Sequence, residues 1–266
     1  MLNMPMRMSG WLINDVQRFI ASSFKIREML GSKSRIPIVS EKPATALKGY
    51  VEFDDVSFHF DDDPETEVLS HISLKAEPGQ TIGILGETGS GKSTLVNLIA
   101  RFYDPTSGTV LIDGVDAKKW HVRELRDHIA IVMQDIFLFS DTIEENISFG
   151  VPGADSQEIE RMARIADANH FIEKMPDGYE TVVGERGVGL SGGQKQRISL
   201  ARALMKNPAI LILDDTTSAV DMETETKIQG ELDQITVDKT TFIIAHRVSS
   251  VKDADEILIM DHGKIV

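Results

Sequence analysis

The chain has 266 residues, 41% hydrophobic and 26% charged, which is ordinary for a globular protein and enough for a full buried core. A formal net charge of -14 argues against the broad basic footprint of a nucleic-acid binder, and the lack of cysteine excludes disulfides, thiolate metal sites and cysteine nucleophiles. No run of apolar residues reaches the ~18 that a membrane-spanning helix needs, and no signal peptide is evident.

In chain order, Leu12, Val16, Phe19, Ser23, Ile26 and Leu30 recur at three- and four-residue steps, predicting an amphipathic helix from about Trp11 to Leu30 that Gly31 ends. Residues 31–48, rich in Ser, Pro and Lys, read as a linker to a domain covering 49–266. From Tyr50 the period changes to two: Val51 and Phe53, then Val56, Phe58 and Phe60, with a phase slip at Asp54-Asp55 that predicts a bulge in an antiparallel edge sheet. Continuous apolar runs at Thr81 to Leu85, Ile129 to Met133, Ala209 to Leu213 and Thr241 to Ala245 read as buried strands, with helical patterns between them. That alternation predicts a parallel α/β core. Two helical stretches, Ser156 to Lys174 and Gln194 to Met205, form a helical subdomain over about 140–206.

Between the first buried strand and the helical run Lys92 to Arg101 lies Gly86-Glu87-Thr88-Gly89-Ser90-Gly91-Lys92-Ser93-Thr94, a G-x-x-x-x-G-K-[ST] pattern in its required strand, loop, helix context. Its glycines permit the torsions that turn successive N–H groups inward, and the helix end adds partial positive charge toward phosphates. Lys92 is expected to reach the β and γ phosphates of ATP, and Ser93 to ligate Mg2+. A second apolar run, Ile210 to Leu213, delivers Asp214 and Asp215 at a strand end, where ligands bind in open α/β sheets. Adjacent carboxylates need a cation or hydrogen bonds, and Asp214 is the expected partner of hydrated Mg2+.

Leu190-Ser191-Gly192-Gly193-Gln194-Lys195-Gln196-Arg197 precedes those aspartates and resembles the signature of ATP-binding cassette (ABC) proteins. Physically, Ser191 with Gly192 and Gly193 before a helix makes a second anion-binding terminus, distinct from the first. The resemblance implies a P-loop NTPase core of ABC type, with an antiparallel β-subdomain and an inserted helical signature subdomain. It also implies that Ser191, Gly192, Gly193 and Gln194 act on ATP held by a second cassette paired head to tail. Phe60, which by itself reads as core, matches the aromatic that stacks on adenine. Gln134 matches the glutamine that senses Mg2+ and the attacking water, and His246 the histidine that contacts the γ-phosphate. Ser218-Ala219-Val220-Asp221 resembles the loop that crosses the dimer interface. Residues 181–187 and the helix within 1–30 are similar to exporter elements: the loop that touches the transmembrane domain and the cytoplasmic end of the last transmembrane helix.

What the family resemblance implies is the ATP-hydrolysing motor of an exporter at the cytoplasmic face of a membrane, cut at both ends and partnered by a second cassette and a transmembrane domain, with no nucleic acid. One residue departs from the pattern. Hydrolysing members usually carry Glu after the magnesium aspartate, whereas this chain has Asp215, one methylene shorter. A misplacement of about 1 Å can cost roughly 100-fold in rate. Such replacements resemble one half of heterodimeric multidrug-type exporters. A nucleotide-gated dimerisation switch with little turnover of its own and a soluble ABC ATPase are the alternatives.

Overall fold

A computed structural model describes residues 3–32, 34, 36–37, 47–184, 187, 189–216 and 222–266. They belong to two compact units, Met1–Pro37 and Ile38–Val266. In the first, helix α1 (Asn3–Gly31) begins well before the expected Trp11. Pro5 does not delay it, because in the first turn the missing N–H would have had no intrahelical partner. The helix stops where Ser32 turns back, its N–H and hydroxyl both donating to the Met29 carbonyl, at 3.3 and 2.7 Å. Trp11, Leu12, Phe19 and Phe24 of α1 are exposed. Among the described residues, no helix is long and apolar enough to cross a membrane.

The second unit starts with an antiparallel sheet of order β2-β1-β4-β5: β1 (Val51–His59), β2 (Glu67–Ala76), β4 (Ser107–Ile112) and β5 (Val115–Asp116). The expected bulge is present. The register of β1 against β2 slips between Phe53 and Val56, and Asp55 takes φ 49°. The slip returns Val56 to the face that Val51 and Phe53 already occupy, so all three are buried in one cluster.

Beneath it lies a second sheet of order β10-β9-β3-β8-β7-β6: β3 (Thr81–Gly86), β6 (Ile129–Val132), β7 (Ile210–Asp214), β8 (Thr240–Ile244), β9 (Glu256–Asp261) and β10 (Lys264–Ile265). Its pairings are parallel except for the terminal β10 hairpin. Its inner strands β3, β6, β7 and β8 are buried on both faces, which is why they read as unbroken apolar runs, whereas Ile257 and Ile259 of β9 are exposed. Along β7 the residues alternate: Ile210 and Ile212 join the cluster that includes α2 (Lys92–Ile99), while Leu211 and Leu213 join the one that includes the helical subdomain.

After α3 (Val122–Asp127) and β6 comes that subdomain: α4 (Ile143–Ser148), α5 (Ser156–Ile165), α6 (Asn169–Ile172) and α7 (Gly192–Met205). The stretch expected as a single helix from Ser156 to Lys174 is therefore broken. At the break Asp167 adopts φ 53°, and its carboxylate holds Arg197 of α7 at 3.0 Å and Lys227 of α8 (Met222–Ile235). A left-handed residue cannot continue a right-handed helix. The ion pairs that compensate it tie α7 and α8 to the break. Helix α7, for its part, starts at Gly192 rather than Gln194, because Ser191 caps it.

Candidate nucleotide-binding site

Strand order assembles the site. Neighbours β3, β8, β7 and β6 are parallel, so their C-terminal ends open on one edge of the sheet. At that edge Ile84 pairs with Ile244, Ile244 with Asp214, and Leu213 with Val132. Asp214 stands at this edge, and just beyond the pairs come the glycine loop, His246 and Gln134. All four contribute to one cleft, where Thr88, Gly89, Gly91, Lys92, Ser93 and Thr94 supply the loop side. Val68 of β2, which the sequence reading missed, lines it from the antiparallel sheet. Its carbonyl lies against Gly91 and Gly263, which holds β2 beside the loop.

The loop's form follows from its glycines. Gly91 takes φ 98°, and a Cβ there would meet Leu69 Cδ2 at 2.8 Å and the Val68 carbonyl at 2.9 Å. At Gly86 a Cβ would stand 2.2 Å from the Met260 carbonyl, so the loop leaves β3 pressed against β9. No side chain caps the start of α2. Its first-turn N–H groups face the cleft as an anion-binding terminus. Lys92 is buried and folds over the loop, donating to the carbonyls of Gly86 at 2.8 Å and Glu87 at 2.6 Å, with Ser90 Oγ at 3.5 Å. Burial pulls the ammonium below the usual lysine value, while Asp214 and Asp215 push it back up. Ser90 is buried, and Gly86, Glu87 and Ser90 shape the loop without lining the cleft.

Asp214 is half-buried, and that burial raises its carboxyl above the ordinary aspartate range against the opposing hydrogen bond from Ser93. A raised carboxyl keeps its proton in the folded state at pH values where the unfolded chain has lost it, so stability falls as pH rises through that window. At neutral pH the charged form therefore carries a burial penalty. Replacing it, Asp214→Asn, is expected to raise the calorimetric midpoint of the protein alone by a few degrees at pH 7, with the gain vanishing at acidic pH. A lower midpoint at pH 7 would show that the charge is already compensated.

Asp215 does not line the cleft, although it lies close enough for its charge to act on Lys92 and Asp214. It takes φ 52°, and its N–H donates to the Ile244 carbonyl at 3.0 Å. Phe60 is also outside the lining residues and packs edge-on against Phe58 and Tyr103, with ring centroids 5.0 and 5.4 Å apart. Ser218, Ala219, Val220 and Asp221 lie outside the described residues, as do Glu185 and Arg186 of the exporter-like loop.

Ser191, Gly192, Gly193 and Gln194 do not join this cleft. They form the start of α7, with a reciprocal capping box: the Gln194 N–H donates to Ser191 Oγ at 3.3 Å, and the Ser191 N–H to Gln194 Oε1 at 2.9 Å. Ser191 and Gly192 are exposed. Further along α7, Arg202 donates to the Asn146 and Phe137 carbonyls at 2.7 and 2.8 Å and to Asn146 Oδ1 at 2.7 Å, and burial lowers it to about 10. The segment after Gln134 is thus fastened to the same helix that carries Ser191, a link no spacing in the sequence reveals.

A glycine loop closed by a lysine at the mouth of a parallel sheet, with an aspartate two strands away, makes this a P-loop nucleotide-binding domain. Residues 69–218 match the model of the ABC transporter family, more than half of the chain. A putative multidrug export ATP-binding/permease protein, YgaD, of Bacillus subtilis (strain 168) is 48% identical over 266 residues, 96% of this chain and 46% of that protein. ABC transporter B family member 3 of Dictyostelium discoideum is 45% identical over 248 residues, 92% of this chain and 17% of that protein. Among solved structures, a bacterial Atm1-family ABC exporter with ATP bound superposes with a TM-score of 0.88 at 38% identity, covering 100% of this chain and 46% of that one. The chain belongs to the ABC transporter family and is its ATP-binding domain. It spans less than half the length of these relatives.

Proposed function

We propose that this cassette is the ATP-hydrolysing motor of an exporter and works as half of a head-to-tail pair. The observation that carries the reading is the presence of two anion-binding helix ends on separate surfaces: the uncapped start of α2 in the cleft and the capped start of α7 outside it. One nucleotide does not need both. In the α7 cap Ser191 Oγ serves as acceptor, so its hydroxyl proton is left to donate to an anion, and the cap holds the oxygen ready for a phosphate brought by a second copy or a related cassette. The export relatives support a transmembrane partner at the cytoplasmic face of a membrane, with α1 as the end of its last helix and residues 49–266 as the cassette.

Within the cleft, Lys92 and the α2 terminus bind the β and γ phosphates, and Phe60 beside Tyr103 offers a ring face to adenine. The oxygen donors of Ser93, Asp214 and Gln134 suit Mg2+, a hard cation that takes few protein carboxylates and completes its shell with phosphate oxygens and water. The half-buried Asp214 is consistent with that: burial makes its charge costly until a cation faces it. Bound there, Mg2+ would neutralise charge on the phosphates. His246 sits at the γ-phosphate end, and Asp215 activates or orients the attacking water.

We assign slow turnover to this site. Asp215 is short by one methylene, and the bond from its N–H to the Ile244 carbonyl opposes a forward shift of the backbone that would make up the reach. Asp215→Glu is expected to raise steady-state ATP hydrolysis by roughly 10- to 100-fold with little change in KM. Unchanged or lower turnover in that variant would remove the reason for a weak site. The second reading, a nucleotide-gated dimerisation switch, is favoured by the same residue; ATP-dependent pairing without detectable single-turnover hydrolysis would establish it.

A further inference from the structure

We infer that Gln196 is a positioning residue for Asp215, and that through it the signature helix holds the cassette's own hydrolytic carboxylate in place. The inference rests on the reading of Asp215 given above. Gln196 is 6% exposed on α7, and its Nε2 donates to the backbone carbonyl of Asp215 at 3.3 Å. The N–H of Asp215 is bound on its other side, to the Ile244 carbonyl of β8. These two hydrogen bonds help keep Asp215 at φ 52°, a conformation that is unfavourable for a residue with a Cβ and persists only where the surroundings impose it. The direction of its carboxylate is set by that backbone. Loss of the Gln196 bond removes one of the restraints that hold this backbone, and the placement of the carboxylate, which follows the backbone, loosens with it.

The two ends of this link lie on different sites. Ser191 caps the start of α7 and faces outward, whereas Gln196, on the same helix, reaches inward to the end of β7. A helix moves as a rigid body over so short a span. A shift of Ser191 on meeting a partner's phosphate is therefore carried to the Asp215 carbonyl by one side chain. Arg197, the next residue, stiffens the lever by bonding the Gly193 carbonyl at 3.2 Å and the Asp167 carboxylate. Gln196 thus makes the geometry of the cassette's own base depend on the state of the signature it lends.

The test measures kcat and KM for Mg-ATP hydrolysis by the 266-residue chain carrying Gln196→Met, which keeps the side-chain length without a donor, alone and combined with Asp215→Asn. Gln196→Leu, a second donorless and uncharged variant, covers the case in which the methionine variant fails to fold. Either single variant is expected to lose roughly 10- to 100-fold in kcat, as for a misplacement of about 1 Å, with KM within about twofold of the unchanged protein. In the Asp215→Asn background the same substitution should cost nothing further, since the carboxylate it positions is gone. An unchanged kcat, or an equal fractional loss with and without Asp215, would overturn the inference. Full turnover by Asp215→Asn alone would instead overturn the reading of Asp215, and the role of Gln196 with it.

Discussion

Lys92→Ala is expected to weaken ATP binding by about 100- to 1000-fold, the equivalent of ~3–4 kcal/mol from charge-assisted contacts to two phosphates. The expectation follows from how the side chain is held. Its ammonium is buried, bonded to neutral carbonyls of the loop it closes, and lowered in pKa by that burial. Such a cation is poorly compensated, and phosphate oxygens can offer it the full charges that carbonyls cannot. Truncation removes the charge together with the clamp that joins Gly86 and Glu87, so affinity falls both through lost contacts and through a looser loop. Lys92→Met separates the two, because it keeps the stem and drops only the charge. Titration calorimetry with ATP measures both variants, and normal affinity in either would sink the assignment of the cleft.

The other large effect concerns the surface outside the cleft. Gly192 opens α7, is exposed, and carries a negative φ open to other residues. Gly192→Asp places an anion at a helix N-terminus, where it is locally favourable by about 0.3–1 kcal/mol, so the fold should persist. The same anion repels a phosphate presented by a second cassette. We expect this variant to bind ATP in its own cleft normally and to lose hydrolysis almost completely. Mixed with the Lys92→Ala chain, which is defective in the complementary half, it should recover roughly a quarter of the unchanged activity, because half of the pairs combine the two variants and each such pair has one intact site of two. Full activity of Gly192→Asp by itself, measured by phosphate release, would show that the signature is not shared between cassettes.

Some features were legible because they are written in consecutive residues. The glycine loop needs only its own spacing and the strand and helix on either side, and Lys92 lies where that spacing puts it. The slip at Asp54-Asp55 was visible because a one-residue change of phase moves every later apolar residue to the other face of a strand. The break at Asp167 was not visible, since the apolar rhythm of 156–174 continues across it. What ends the helix is a left-handed residue whose carboxylate is held by Arg197 and Lys227 from distant parts of the chain. Likewise α7 starts two residues early because a side chain, not a periodicity, closes its first turn.

By itself, then, the sequence determined that there is a phosphate-binding loop, that buried strands alternate with helices, and that a serine and two glycines open a helix ahead of the paired aspartates. Each of these is a local matter of backbone freedom, side-chain period and helix capping. Only the tertiary structure decided that Gln134, Asp214 and His246 share a cleft with Lys92, that Ser191 does not, and that Gln196 reaches Asp215. Those outcomes depend on the strand order β3-β8-β7-β6 and on how α7 packs against it. Strand order is chosen by the summed burial of both faces of the sheet, a quantity spread over the whole chain and present in no single stretch of it.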